Sequence, residues 1–135
     1  MPVILDSGPL VAAFNQSDHD HAACAALLRR TDLQFVVPAL CVGESAELLD
    51  ARSGWRNQAV FLRAVAELHI YLPLESEWGL IADEVVRYAE FDIGATDASV
   101  IVLARRLQAD TVATLDHRHF RTVRPGHVPA FTLLP

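Results

Sequence analysis

Residues 91 to 116 read FDIGATDASVIVLARRLQADTVATLD, and two acids bracket the apolar part of that stretch. Asp97 enters a helical pattern after Gly94 and Thr96, and Asp110 leads into a short run, Thr111 to Leu115, that ends on Asp116. Between them Val100, Leu103, Ala104 and Leu107 recur at i, i+3, i+4 and i+7, the stripe of a helix with an inward face. Ile101 and Val102 fill the gaps in that stripe, so the helix is expected to be buried on more than one side. A buried helix leading into a short strand favours an α/β architecture, in which parallel strands end on one shared edge and loop residues there converge.

The rest of the chain repeats the alternation. Pro2 to Leu5 is a short apolar run ending on Asp6, followed by Ser7, Gly8 and Pro9 and then a helical stretch from Leu10 to Phe14, with Pro9 tolerated in a first helical turn. A second helix is expected from about His19 to Arg30, a strand over Phe35 to Val37 closed by Pro38, and a helix over Ala39 to Leu49. Arg52 to Asn57 read as a polar break around Gly54, and Gln58 to Leu68 as an amphipathic helix. Ile70 to Pro73 reads as a strand, Glu75 to Glu90 as a helix, His117 to Phe120 as a short turn or helix, and Ala130 to Leu134 as a last strand. With no linker, repeat or low-complexity tract, residues 1–135 are expected to form one domain.

Composition narrows the class. At 135 residues, with 52% hydrophobic and 21% charged residues, the chain is expected to be globular. No apolar run approaches the roughly 18 to 20 residues of a membrane helix, and the first residues lack a basic leader, so a cytoplasmic protein without membrane contact is expected. Cys24 and Cys41 lie inside apolar segments without a CxxC, which favours buried free thiols over a disulfide or zinc site. The net charge of −6 argues against a protein that coats nucleic acid through a basic surface. All 11 basic residues are Arg, so chemistry that needs a lysine is excluded.

Four acids stand at strand ends or in the first turns of the helices that follow: Asp6, Glu44, Asp97 and Asp116. For Asp6 and Asp116 a helix cap is the plain alternative. Glu44 lies among small and apolar neighbours, where an acid is costly unless paired or metal-bound; Glu47, one turn on, either shares its face or solvates it. Asp18-His19-Asp20-His21 looks like a metal tract, but on a helix His19 and His21 point about 200° apart, so a solvated first turn is the better reading. Gathered on one edge, four carboxylates would repel, at ~4 kcal/mol per pair ~4 Å apart with an effective dielectric of ~20. Such a cluster demands cations, and Mg²⁺ or Mn²⁺ suits oxygen ligands while binding a phosphodiester.

The opening VILDSGPLVAAF, the helix acid in VGESAE, and above all GATDASVIVLARRLQADTVATLDHRHF resemble a PIN domain, and within that family the VapC-type toxin ribonucleases of toxin–antitoxin pairs. The resemblance covers nearly the whole chain and includes the terminal T-x-D-x-x-x-F. It implies a three-layer α/β/α sandwich around a mostly parallel sheet and a Mg²⁺- or Mn²⁺-dependent endoribonuclease. It also implies Asp6, Glu44, Asp97 and Asp116 as metal ligands, with Thr114 as the orienting hydroxyl and Ser7 in the family's usual Ser or Thr position. Asp92 is the rival for the third acid, but Asp97 is the one followed by Ala98-Ser99 and an apolar helix.

Arg118, Arg121 and Arg124 follow closely on Asp116 and are candidates to meet phosphate, with a solvated basic loop as the alternative. Single-stranded RNA is the expected substrate, since exposed bases and backbone are more readable than an A-form groove; structured RNA is also open. The resemblance further implies a small VapB-like antitoxin partner and a homodimer. A phosphatase using Asp6 as nucleophile is disfavoured, because Gly8 stands where a second acid is needed and no lysine exists. A non-catalytic PIN-like scaffold that only binds a partner is the remaining alternative.

Overall fold

The computed structural model describes residues 1–135 and contains a five-stranded parallel sheet, in the order β3-β2-β1-β4-β5, flanked by seven α-helices as an α/β/α sandwich. The strands are β1 (Pro2–Leu5), β2 (Gln34–Pro38), β3 (Ile70–Tyr71), β4 (Thr111–Ala113) and β5 (Thr132–Leu134). The helices are α1 (Ser7–Phe14), α2 (His21–Leu28), α3 (Ala39–Ser53), α4 (Trp55–Ala64), α5 (Glu77–Arg87), α6 (Ala95–Leu107) and α7 (His117–Thr122). A sheet covered on both faces leaves no polar side for its central strands. Accordingly Val3, Ile4 and Leu5 of β1, Val36 and Val37 of β2, and Val112 and Ala113 of β4 are all buried.

Helix α6 is buried without interruption from Ala98 to Ala104, as its filled apolar stripe requires. Its end is set by Gln108, left-handed at φ 54°, which lets the Ala109 amide return to the Ala104 carbonyl at 2.8 Å and closes the last turn. Because helices run back across a parallel sheet, α6 starts at the edge where the strands end. That places Asp97, in its first turn, at the C-terminal edge of the sheet.

Several helices differ from the expected bounds, with α4 at Trp55–Ala64 rather than Gln58 to Leu68 and α5 at Glu77–Arg87 rather than Glu75 to Glu90, and α3 and α2 do so for a clear local reason. The polar letters Arg52 to Asn57 do not break the chain at Arg52. Helix α3 continues to Ser53, whose hydroxyl donates to the Leu49 carbonyl at 2.8 Å, and only Gly54, at φ 91°, interrupts before α4 starts at Trp55. Helix α2 begins at His21, because the Asp18 carboxylate takes the Asp20 amide at 2.9 Å and holds residues 18–20 in a turn. His21 then directs Nδ1 to the Ala12 carbonyl at 2.8 Å, which ties the start of α2 to α1.

Candidate active site

The register of β1 and β4 builds the site. Leu5 pairs with Ala113, and the Asp6 amide still donates to the Ala113 carbonyl at 2.9 Å, so Asp6 and Thr114 leave the sheet side by side. Strand β1 is flanked by β2 on one side and β4 on the other, the point where an open α/β sheet forms a crevice at its strand ends. Into that crevice project Asp6 after β1, Glu44 from α3, Asp97 from α6 and Asp116 after β4. All four line one cleft of about 630 Å³.

Asp6 is 5% exposed and makes no capping hydrogen bond to α1. Its Oδ2 instead accepts from the Thr114 hydroxyl at 2.8 Å, and Cys41 Sγ lies 3.8 Å from Oδ1. Thr114 is fully buried and its oxygen also accepts from the Asp116 amide at 2.9 Å, so one hydroxyl fixes the positions of two acids. Burial pushes the Asp6 carboxyl above its usual range, with Glu44 and Asp116 adding to the rise against the hydrogen bonds from Ser7 and Thr114. The same burial, with Asp6 close by, holds the Cys41 thiol well above its ordinary value.

Asp97 shows the repulsion most directly. Desolvation, then the negative charges of Asp6, Asp116 and Glu44, push its carboxyl from 3.8 to about 7. Asp116 does cap α7, accepting from the His119 amide at 3.2 Å through Oδ1, and still lines the cleft. Its Oδ2 lies 2.6 Å from His119 Nδ1, which is also 3.9 Å from Asp97 Oδ2. Nδ1 is buried and makes no aligned hydrogen bond to either carboxylate.

Beyond the four acids the cleft is lined by Asp18 and Asp20, expected to belong only to a solvated turn, and by Asp92, the rival for the third acid. These three bring its acids to seven. Arg52, two helical turns after Glu44, is the only arginine lining it, and Arg52 enters none of the structure's ion pairs. The one available clue to Arg52 was its spacing of eight from Glu44 on α3, and to His119 its spacing of three from Asp116. Arg118 lines a smaller cavity of about 140 Å³, which shares Asp92 and His119 with the cleft. Arg121 lines neither, and Ser7 is 2% exposed with its hydroxyl buried outside the cleft lining. Glu47 is exposed and likewise outside the lining.

Carboxylate oxygens from four distant parts of the chain, destabilised by one another and with one arginine among them, fit a hard divalent cation. Asp97, Asp116 and His119 can each offer a donor atom, and these atoms lie within 4.8 Å of one another.

The sequence pattern of the PIN domain matches residues 3–125. The chain belongs to the PIN-domain family. Within the family it is of the VapC type: it is 34% identical to ribonuclease VapC26 of Mycobacterium tuberculosis over 137 residues, covering 98% of this chain and 100% of that protein. The fold is also that of M. tuberculosis VapC20, a sarcin-ricin loop cleaving toxin, in its crystal structure. The two superpose with a TM-score of 0.81 at 17% identity, over 96% of this chain and 99% of that one. No helix of this PIN domain is long and apolar enough to cross a membrane.

Proposed function

We propose that this protein is a Mg²⁺- or Mn²⁺-dependent endoribonuclease, the toxin of a toxin–antitoxin pair, built as one domain over residues 1–135. The observation that carries the reading is the convergence of Asp6, Glu44, Asp97 and Asp116 on one cleft at the strand ends. Kinship to a ribonuclease that it matches from end to end supports RNA as the substrate.

In this reading the four acids are the metal ligands, and Thr114 is a positioning residue that orients Asp6 and Asp116. A divalent ion, when bound, supplies positive charge for a phosphodiester and makes water a competent nucleophile near neutral pH. The rest falls to the chain itself. With no cation bound, burial and the neighbouring acids hold the Asp97 carboxyl up to about 7, a crowding of charge that a divalent ion in the cleft would relieve. Arg52, within the cleft, and Arg118, in the adjoining cavity, are the cations that meet the phosphates of the bound strand in this reading. Arg121 adds charge farther along the strand. Ser7 acts from beneath the cleft, through its backbone contact with Asp6.

An open cleft with acids at its floor suits single-stranded RNA, or a loop within structured RNA, whose backbone can be drawn toward the site. A small VapB-like antitoxin is the partner that covers this groove. A homodimer in the cytoplasm completes the proposal.

The test is direct. Purified protein freed of any partner should cleave single-stranded RNA with Mg²⁺ or Mn²⁺ and stop when EDTA is added. Asp6→Ala and Asp97→Ala proteins should be inactive. Equal cleavage by either variant assigns the activity to a contaminant, and folded wild-type protein that binds a partner but never cuts RNA supports a scaffold instead.

A further inference from the structure

We propose that His119 is a nitrogen donor to the cation held between Asp97 and Asp116, and that it biases the site toward transition-metal ions over Mg²⁺. This inference rests on the metal-dependent reading above.

Helix α7 supplies the geometry. Asp116 at its cap and His119 three residues on lie on the same side of the first turn, and the capping bond from the His119 amide to Asp116 Oδ1 holds that turn closed. The cap occupies Oδ1 and leaves Oδ2 beside the imidazole, 2.6 Å from Nδ1. On the other side Asp97 Oδ2 lies 3.9 Å from the same nitrogen. Three donors within 4.8 Å of one another fit around one ion with bonds of about 2.0–2.2 Å.

The state of the nitrogen points the same way. Nδ1 is buried although the side chain is 29% exposed, and it makes no aligned hydrogen bond. A buried polar atom without a partner costs free energy, which ligation of a cation would remove. The backbone and side chain of Asp116 therefore present His119 to the position where the acids need positive charge.

Ligand chemistry then sets the preference. Carboxylates serve Mg²⁺ and Mn²⁺ alike, whereas an imidazole nitrogen adds most to the later first-row ions and little to Mg²⁺. A different role for His119, merely orienting Asp116, would act on every cation equally. The two roles are separable by comparing ions.

The experiment is calorimetric titration of the full chain, stripped with EDTA, with Mg²⁺ and with Co²⁺ in one buffer at one fixed pH. His119→Ala should weaken Co²⁺ binding about 10- to 100-fold, the range seen for residues close to a metal, and Mg²⁺ binding less than about 3-fold. The visible absorption of bound Co²⁺ should change between wild type and variant, as loss of a nitrogen ligand requires. His119→Gln, which keeps the bulk at the half-buried position, should behave as His119→Ala. Equal losses for both ions, no loss, or an unchanged Co²⁺ spectrum would overturn the role of His119 while leaving the nuclease reading intact. Wild-type protein that binds neither ion overturns both.

Discussion

The Thr114 hydroxyl donates to Asp6 Oδ2 across 2.8 Å, joining residues 108 positions apart, and the same oxygen accepts the Asp116 amide at 2.9 Å. The bond is the direct outcome of parallel register, because Leu5 opposite Ala113 delivers the next residue of each strand to the same point. Asp6 is almost fully buried, so this hydroxyl replaces water that the carboxylate has lost.

Thr114→Val keeps the shape and removes the donor. It should destabilise the fold by about 1–3 kcal/mol and raise the Asp6 carboxyl further, since a charged acceptor is left with less to bond. Mn²⁺ affinity should fall about 10- to 100-fold, as for other residues that hold a ligand in place. Thermal melts and calorimetric titration measure the two effects, and Thr114→Ser should restore both. Equal Mn²⁺ binding by wild type and Thr114→Val would show that the hydroxyl does not orient the site.

The Asp97 carboxyl, pushed up to about 7, gives a pH dependence with a definite sign. Between about pH 4 and 7 the folded protein holds a proton on Asp97 that the unfolded chain has released, so metal-free stability falls as pH rises through that window. Asp97→Asn removes the penalty. At pH 8 without metal the variant should be more stable than wild type by about 1–3 kcal/mol, a figure below the full value of a three-unit shift because the side chain is partly exposed. At pH 4 the difference should vanish. Adding Mn²⁺ at pH 8 should reverse the order by stabilising only the wild type. Melting curves at the two pH values decide it, and a variant no more stable than wild type at pH 8 would refute the crowding of charge.

The readable parts of this structure were those where one local property forced one outcome. A helix with no polar face between Ala98 and Ala104 has to be central, and short apolar runs ending on an acid have to be strands that stop at an edge. Glu44 stood out as an acid among apolar letters, yet it is exposed on α3 and carries no burial cost, so its place in the cleft lining rather than its neighbours marks it. Arg52 gave no such signal, and the Asp18 to His21 tract reads as a solvated turn because charged residues in a turn or at a helix end are ordinary when solvated. Arg52, Asp18 and Asp20 line the cleft through packing: α2 lies against α1, and α3 runs a turn longer than its apolar face. His119 was hidden in a run of polar residues whose helical phase only the Asp116 cap defines.

Stability away from the cleft depends on an ion pair whose carboxylate is buried and whose arginine is partly exposed. Arg105 donates to Glu84 Oε1 at 2.6 Å and to the Pro125 carbonyl at 2.9 Å, tying α6 to α5 and to the loop after α7. Glu84 is 4% exposed, and Arg87, at 3.9 Å, is its other cation. Arg105→Met should cost about 2–4 kcal/mol by leaving that carboxylate nearly unpaired, and Glu84→Met in the same chain should recover much of the loss. Chemical denaturation measures both. Metal affinity should stay unchanged in the folded single variant, because the pair lies outside the cleft; a matching loss of metal binding would contradict that separation.

Arg52 separates two ways for an acidic protein to hold RNA. Overall charge repels the strand, so attraction has to come from cations placed where the backbone passes. Arg52 lines the acid cleft without an ion pair, whereas Arg121 lines neither the cleft nor its neighbour. In an Asp97→Asn background, which prevents cleavage, Arg52→Ala should weaken binding of a short single-stranded RNA about 10-fold. It should also reduce the slope of log affinity against log salt by about 0.7, the share of one phosphate contact on a single strand. Arg118→Ala should act in the same direction, and Arg121→Ala should change affinity less than about 3-fold. Fluorescence anisotropy across a salt series reads all three. A salt slope that Arg52→Ala leaves unchanged, with Arg121→Ala lowering it instead, would move the RNA path out of the cleft and onto the outer face of α7.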